Sequence, residues 1–122
     1  MKVYLATPYT GTWRKQEARA EVADKVGAKI MLNYGYAVFS PISQSHRVSR
    51  YLSEETDNWD FWQRQDLPFL EVCDELWVIL ADGTKESVGV RAEIKAALSL
   101  RIPVRYITIN EDGTIDVSKG TH

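Results

Sequence analysis

The sequence predicts an α/β protein built on a doubly wound parallel sheet, and three observations carry that expectation. Short apolar segments alternate with longer amphipathic stretches of helical period along most of the chain. Leu76-Trp77-Val78-Ile79-Leu80 is an uninterrupted apolar run, the mark of a central strand buried on both faces. Pro8, Gly35, Pro41, Gly83 and Pro103 stand between the segments, where turns belong.

Val3 to Ala6 is expected to form the first strand, and Thr7-Pro8-Tyr9-Thr10-Gly11 the turn that leaves it. A helix from about Trp13 to Asn33 follows, with Ala18, Val22, Val26 and Ile30 as its apolar stripe and Gly35 as its stop. Tyr36 to Ser40 reads as a second strand closed by Pro41. Residues Ile42 to Thr56 read as a polar loop, and a loop of that length in a small domain is often functional. The next helix spans about Asp57 to Val72, and Pro68 inside it is expected to kink or restart it. The apolar run then supplies the central strand, Asp82-Gly83-Thr84-Lys85 turns the chain, and Glu86 to about Arg101 is helical. Pro103 to Ile107 is a further strand, and Asp112-Gly113 marks a terminal hairpin over Ile107 to Val117. The most economical assembly is a Rossmann-like, flavodoxin-like sheet of about five strands. Ligands in such sheets bind outside the carboxyl ends of the strands, so residues 7–12, 41–56 and 81–87 are the connections to inspect.

The chain of 122 residues is long enough for one domain with a real core and too short for two ordinary ones, so residues 1–122 are read as a single domain. A net charge of −2 provides no basic field for a nucleic acid polymer or an anionic membrane. A small polar ligand is the expected partner. Cys73 is the one cysteine, which excludes an intrachain disulfide and fits a reducing compartment. The apolar opening is interrupted by Pro8 and then by Arg14, Lys15 and Glu17, too early for a signal segment or a membrane span; a cytoplasmic protein is expected. Four Trp and 11% aromatic residues are generous for this size and suit a planar ligand or a partner surface.

Within this framework Glu93 stands on the wrong face of its helix. Gly89 and Val90 lie one turn before it, Ala96 and Ala97 one turn after and Leu100 two turns after, while Arg91 and Lys95 mark the solvent side. A carboxylate there must be paired, hydrogen-bonded, protonated or open to a ligand cleft. Asp66 repeats the anomaly, because Trp59, Trp62, Asp66, Phe69 and Leu70 share one face of the preceding helix. Two such carboxylates match the acid and nucleophile pairs of glycosyl-transfer enzymes. The plainer alternative pairs Asp66 with Arg64 or a lysine, or makes it a cap near Pro68. Tyr4 lies on the face of its strand opposite Val3 and Leu5, and its hydroxyl, once buried, needs a partner such as a carboxylate. Ser87 and the backbone from Lys85 to Gly89 join a central strand to a helix, a geometry that receives anions; the alternative is an ordinary loop with Ser87 near the N-cap. His46 is a candidate ligand contact or a solvated loop residue. Neither a P-loop nor a dinucleotide fingerprint occurs, no metal-ligand spacing is present, and no serine has the elbow of a hydrolase triad. No cofactor is expected.

Taken together, Val3-Tyr4-Leu5-Ala6, Gln65-Asp66-Leu67, Cys73 to Val78 and Ser87-Val88-Gly89-Val90-Arg91-Ala92-Glu93 resemble the nucleoside 2-deoxyribosyltransferase superfamily over nearly the whole chain. The similarity is greatest to a small branch with a Thr-Pro-Tyr turn, a Ser-Pro-Ile-x-x-Ser-His segment and paired Trp before the mid-chain Asp. Here these are Thr7-Pro8-Tyr9, Ser40 to His46, and Trp59 with Trp62. The resemblance implies a Rossmann-like fold and cleavage or transfer of an N-glycosidic bond. It implies Glu93 as nucleophile, Tyr4 as its orienting hydroxyl and Asp66 as the group assisting the leaving base or holding the sugar. Ser87, Gly89, Thr7, Pro8, Tyr9, His46 and Trp62 are the implied substrate contacts, and a homodimer or larger homo-oligomer the implied assembly. Ser87 stands where transferases acting on free nucleosides carry aspartate, a similarity to deoxynucleoside 5'-monophosphate N-glycosidases that favours a nucleotide. The arginine that those glycosidases carry soon after the first strand falls at Thr10, which leaves Arg14 or Lys15 to take its place. Two other readings use the same residues: a binding module that holds a nucleotide without turnover, and an interaction protein whose Trp59 and Trp62 face a partner.

Overall fold

Val3, Tyr4, Leu5 and Ala6 are fully buried because their strand, β1 (Lys2–Ala6), occupies the interior of the sheet with helices on both sides. The structure, a computed structural model, describes residues 1–53, 56 and 58–118. Its sheet has the order β2-β1-β3-β4-β5, with β2 at Ala37–Phe39, β3 at Glu75–Ile79, β4 at Val104–Ile109 and β5 at Ile115–Val117. The first four strands are parallel; β5 returns antiparallel to β4 through a hairpin closed by Asn110 and Thr114, with Gly113 at a φ of 88° that favours glycine.

Alternation along β1 divides the core in two. Val3 and Leu5 join Trp77, Ile79, Ile107 and Ile115 under helix α1 (Trp13–Tyr34), which contributes Val26 and Ile30. Tyr4 and Ala6 face the other way, with Leu76, Val78 and Val104, toward Leu70 of α3 (Trp59–Leu70) and Val90 and Ala97 of α4 (Val88–Ser99). Each large side chain buried this way contributes about 1.5–3 kcal/mol before entropy is counted. The sheet is therefore doubly wound, and β1 and β3 flank the point where the chain reverses its direction of travel across the sheet.

Several sequence expectations are corrected. The inner stripe of α1 is Ala20, Ala23, Val26, Gly27 and Ile30; Ala18 is exposed, one position off the buried arc. The polar segment after β2 is not a loop at its start: α2 occupies Pro41–Val48 and a 3-10 turn Ser49–Tyr51. Ser40 at the N-cap position and Pro41 at the first helical position, where its missing N–H costs nothing, explain the helix. The remainder of that segment, at residues 54 and 55, lies outside the described residues, as does the expected helix start at residue 57. Asn58 caps α3 by accepting the Phe61 N–H at 2.8 Å. The helix runs through Pro68 and ends at Leu70, so the lost hydrogen bond falls in its last turn rather than starting a new helix. Phe69 is half-exposed and stacks on Phe39 at 4.2 Å, and Leu100, expected beneath Glu93, is exposed beyond the end of α4.

Candidate active site

The connection from β3 into α4 places the S-x-G-x-x-x-E segment at the carboxyl end of the sheet. Thr84 ties the turn down: its hydroxyl donates to the Ile79 carbonyl and accepts the Ala81 N–H, both at 2.9 Å. Ser87 is the N-cap of α4, its hydroxyl oxygen accepting the Val90 N–H at 3.2 Å. From that start the helical period carries Gly89, Val90, Glu93 and Ala97 to the inner side, and Glu93 is 5% exposed. A methyl group at Gly89 would meet only the Trp59 ring, at 3.6 Å, so the glycine leaves the helix surface open there.

Glu93 is not an isolated charge. The Tyr4 hydroxyl, fully buried in β1, donates a hydrogen bond to its Oε2. Burial pushes the Glu93 carboxyl up to about 8; the Tyr4 hydrogen bond pulls the other way and the nearby Asp66 adds to the rise. The Tyr4 phenol is driven well above its ordinary value by the same burial and by the Glu93 and Asp66 charges, so it stays protonated and stays a donor. Asp66, on α3 and 9% exposed, is pushed up to about 6 by desolvation. It makes no hydrogen bond or ion pair with another described residue, so neither pairing nor capping accounts for it; Arg64 lies over the Phe61 ring instead.

Both carboxylates open onto one cavity of about 310 Å³, a size suited to a small molecule. Thr7, Tyr9 and Thr10 reach it from the end of β1, Pro41, Ile42 and Ser45 from α2, Asn58, Trp59, Trp62 and Asp66 from α3 and its cap, and Ser87 to Val90 with Glu93 from α4. Each β-strand of the switch region thus supplies one wall through the connection at its carboxyl end. Thr7 is 6% exposed, and its hydroxyl has no hydrogen-bond partner among the described residues, an arrangement that leaves it available to a ligand group.

Of the residues expected at the site, Glu93, Asp66, Ser87, Gly89, Thr7, Tyr9 and Trp62 are on the cavity wall. Tyr4 acts from beneath, through Glu93. Pro8 is fully buried behind the wall. His46 is neither a wall residue nor a solvated one: it is buried on α2, stacks on Trp13 at 4.8 Å and bonds Tyr9 and Glu17. Treating its segment as a loop concealed that α2 brings Ile42 and Ser45 to the cavity wall and buries His46. Arg14 and Lys15, expected to stand in for a missing arginine, are exposed on α1 and absent from the wall, whereas Thr10 is on it. Trp59, grouped with Trp62 by periodicity, proves to line the same cavity. Ile42 and Ser45 were not singled out, although they fall in the connection 41–56 marked for inspection, and Asn58, the cap of α3, was not anticipated. Among the described residues no cluster of three or more His, Cys, Asp or Glu is arranged to hold a metal ion, and no helix is long and apolar enough to cross a membrane.

The sheet order, wound with helices on both faces, is that of a nucleoside 2-deoxyribosyltransferase-like fold. A solved structure of the 2-deoxyribosyltransferase from the psychrotolerant bacterium Bacillus psychrosaccharolyticus superposes with a TM-score of 0.60, at 21% identity over 91% of this chain and 74% of that one. Residues 1–108 match the family described as Domain of unknown function (DUF1937), and the chain belongs to that family. No curated protein matches it.

Proposed function

We propose that the cavity cleaves or transfers the N-glycosidic bond of a nucleoside or nucleoside 5'-monophosphate, with Glu93 as nucleophile. The observation that carries this reading is the position of Glu93: buried, held at one oxygen by Tyr4, and on the wall of a cavity that a second carboxyl, Asp66, also lines. The ionised Glu93 oxygen attacks the anomeric carbon, the carbon–nitrogen bond breaks, and its electron pair goes to the base. Asp66 delivers the proton that makes the base a better leaving group, or holds the sugar. Another base, or water, then resolves the glycosyl ester and frees the Glu93 carboxylate. A carboxyl pair with values of about 6 and about 8 holds one proton between them over that interval; the values place it on Glu93, and it must pass to Asp66 for Glu93 to attack and Asp66 to act as the acid.

The wall also bears on the substrate. Ser87 and the first turn of α4 offer a neutral hydroxyl and helix N–H groups, which support a 5'-phosphate. The free nucleoside is favoured by a different observation: no lysine or arginine is among the residues on the wall. Trp59, Trp62 and Ile42 suit the planar base of either. We read the chain as one domain acting on a small molecule, in a homodimer or larger assembly that sedimentation tests. Incubating the protein with deoxynucleosides and their 5'-monophosphates and following free base by chromatography decides the matter. Base release that disappears in Glu93→Ala supports the reading; no release, or release unchanged in that variant, rejects it. Ligand-dependent stabilisation with the ligand recovered intact identifies a binding module instead.

A further inference from the structure

Beside the main cavity lies a second compartment, of about 160 Å³, that the glycosidic reading leaves unused. The two share Tyr9, Ser45 and Trp62 as a common wall, whereas Glu93, Asp66 and Ser87 line only the first. The second is bounded further by Trp13 and Gln16 of α1, Ser49 of the 3-10 turn and Leu52 beyond it. Clefts that hold whole drug-sized ligands span about 300–1,000 Å³, so the main cavity has the size for one nucleoside and the compartment only for a smaller piece, such as a single ring system.

Its surfaces are held by the protein. Trp13 and Gln16 stand three positions apart on one face of α1. The Trp13 indole is stacked on His46 at 4.8 Å, the Arg50 guanidinium lies 5.6 Å from its centre, and Trp62 packs edge to face on Phe61 at 5.0 Å. Two indoles are thus fixed at the compartment, and little ordering is needed when a ligand enters. No residue of the described wall is charged, which suits a neutral ligand. Gln16 is half-buried and its side-chain amide bonds no other described residue. That amide offers a donor and an acceptor side by side, the pairing that glutamine makes with the edge of adenine.

We propose that this compartment binds a free nucleobase beside the sugar held at Glu93, with Gln16 as the residue that reads the edge of the base. This rests on the main cavity acting on a nucleoside or nucleotide, as proposed above. It gives the second base of a transfer reaction a place to wait until the first departs. The waiting base then moves past Tyr9, Ser45 and Trp62, and the lone pair of its ring nitrogen attacks the anomeric carbon. The ester bond to Glu93 breaks with its electron pair returning to the carboxylate, and the proton of the attacking nitrogen passes to Asp66, ionised since it protonated the departed base.

Calorimetric titration with adenine, alone and in the presence of saturating 9-deaza-2'-deoxyadenosine, a nucleoside whose carbon–carbon glycosidic bond is not cleaved, tests the proposal. Adenine is expected to bind with an affinity that the nucleoside changes by less than about twofold, because the two occupy different spaces. Gln16→Leu is expected to weaken adenine about tenfold, and Leu52→Trp, which fills the compartment, to abolish its binding. In both variants the affinity for the nucleoside and the Glu93-dependent release of base from 2'-deoxyadenosine are expected to stay within about twofold of the wild type, which also shows that they fold. Displacement of adenine by the nucleoside, absence of adenine binding, or an adenine affinity that both variants leave intact overturns the proposal. Adenine bound beside the nucleoside with no base release overturns only the glycosidic reading; base release without independent adenine binding overturns only this one; no binding by either ligand overturns both.

Discussion

The Tyr4 hydroxyl donates to Glu93 Oε2 across 89 positions of sequence, from an interior strand of the sheet to the second turn of α4. The bond makes one carboxylate oxygen a fixed acceptor. It also opposes the effect of burial, which acts alone on Asp66.

Tyr4→Phe removes that opposition. The Glu93 carboxyl is expected to titrate above its present value of about 8, so the limb of a rate profile near that value moves to higher pH. Stability is expected to fall by about 1–3 kcal/mol, the range for losing a buried hydrogen bond to a charged group. Denaturant unfolding and a pH–rate profile check both; a limb that stays in place rejects the coupling.

For the wild type, base release is expected to follow a bell with limbs near about 6 and about 8, the values of the carboxyl pair. In Asp66→Asn the limb belonging to Glu93 is expected to move down, because the Asp66 charge contributes to its rise. Profiles that are flat across this interval exclude the pair as the acid and nucleophile.

Burial of Glu93 also makes stability depend on pH with a definite sign. Its carboxyl rises from an ordinary 4.5 to about 8 on folding, so the folded state holds the proton more tightly. The contribution is full below the ordinary value and is lost as pH climbs through the folded one. Glu93→Gln, which keeps an oxygen for Tyr4, is expected to stabilise the protein by roughly 2–4 kcal/mol near pH 9 and by little near pH 4. Thermal melts of the two proteins at both pH values measure this; equal differences at the two would contradict it.

Gly89→Ala separates folding from binding. Alanine in place of a helical glycine is expected to raise stability by up to about 1 kcal/mol, and its methyl meets only Trp59 at an ordinary distance. The same methyl projects from the cavity wall and is expected to weaken ligand binding about tenfold. Thermal melts and calorimetry read the two effects independently.

Thr7→Val addresses the buried hydroxyl that has no partner among the described residues. Removing a desolvated, unbonded group at constant shape is expected to be neutral or stabilising by about 1 kcal/mol, while affinity for a ligand that bonds it drops severalfold. Unchanged affinity would show that the hydroxyl serves no ligand.

Residues that follow a simple period were legible in advance. Glu93 stood out because Val90 and Ala97 share its face, and Asp66 because Trp62 and Leu70 share its own. Features that depend on a neighbour from another element were read less well. Ser40-Pro41 opens a helix of only eight residues, whose inner side is defined by α1 and β1 as much as by its own pattern, and a polar composition disguised it as a loop. His46 illustrates the consequence: its partners Tyr9 and Glu17 are distant in sequence, so nothing local distinguished a buried, doubly bonded ring from a solvated one.

Sequence alone determined the alternation of strands and helices, the doubly wound sheet and the two carboxylates on apolar faces, because backbone period and the cost of burying charge act locally. Tertiary structure decided what those carboxylates do: Tyr4 holds one, the other has no described partner, and both open on a cavity whose walls come from every connection at the carboxyl ends of β1, β2 and β3. It also decided that His46 bonds Tyr9 and Glu17 and is absent from the cavity wall. The physical reason is that the pKa of a buried group, and the direction of its hydrogen bonds, depend on what distant segments bring to within a few ångströms, and such proximity has no signature in sequence spacing.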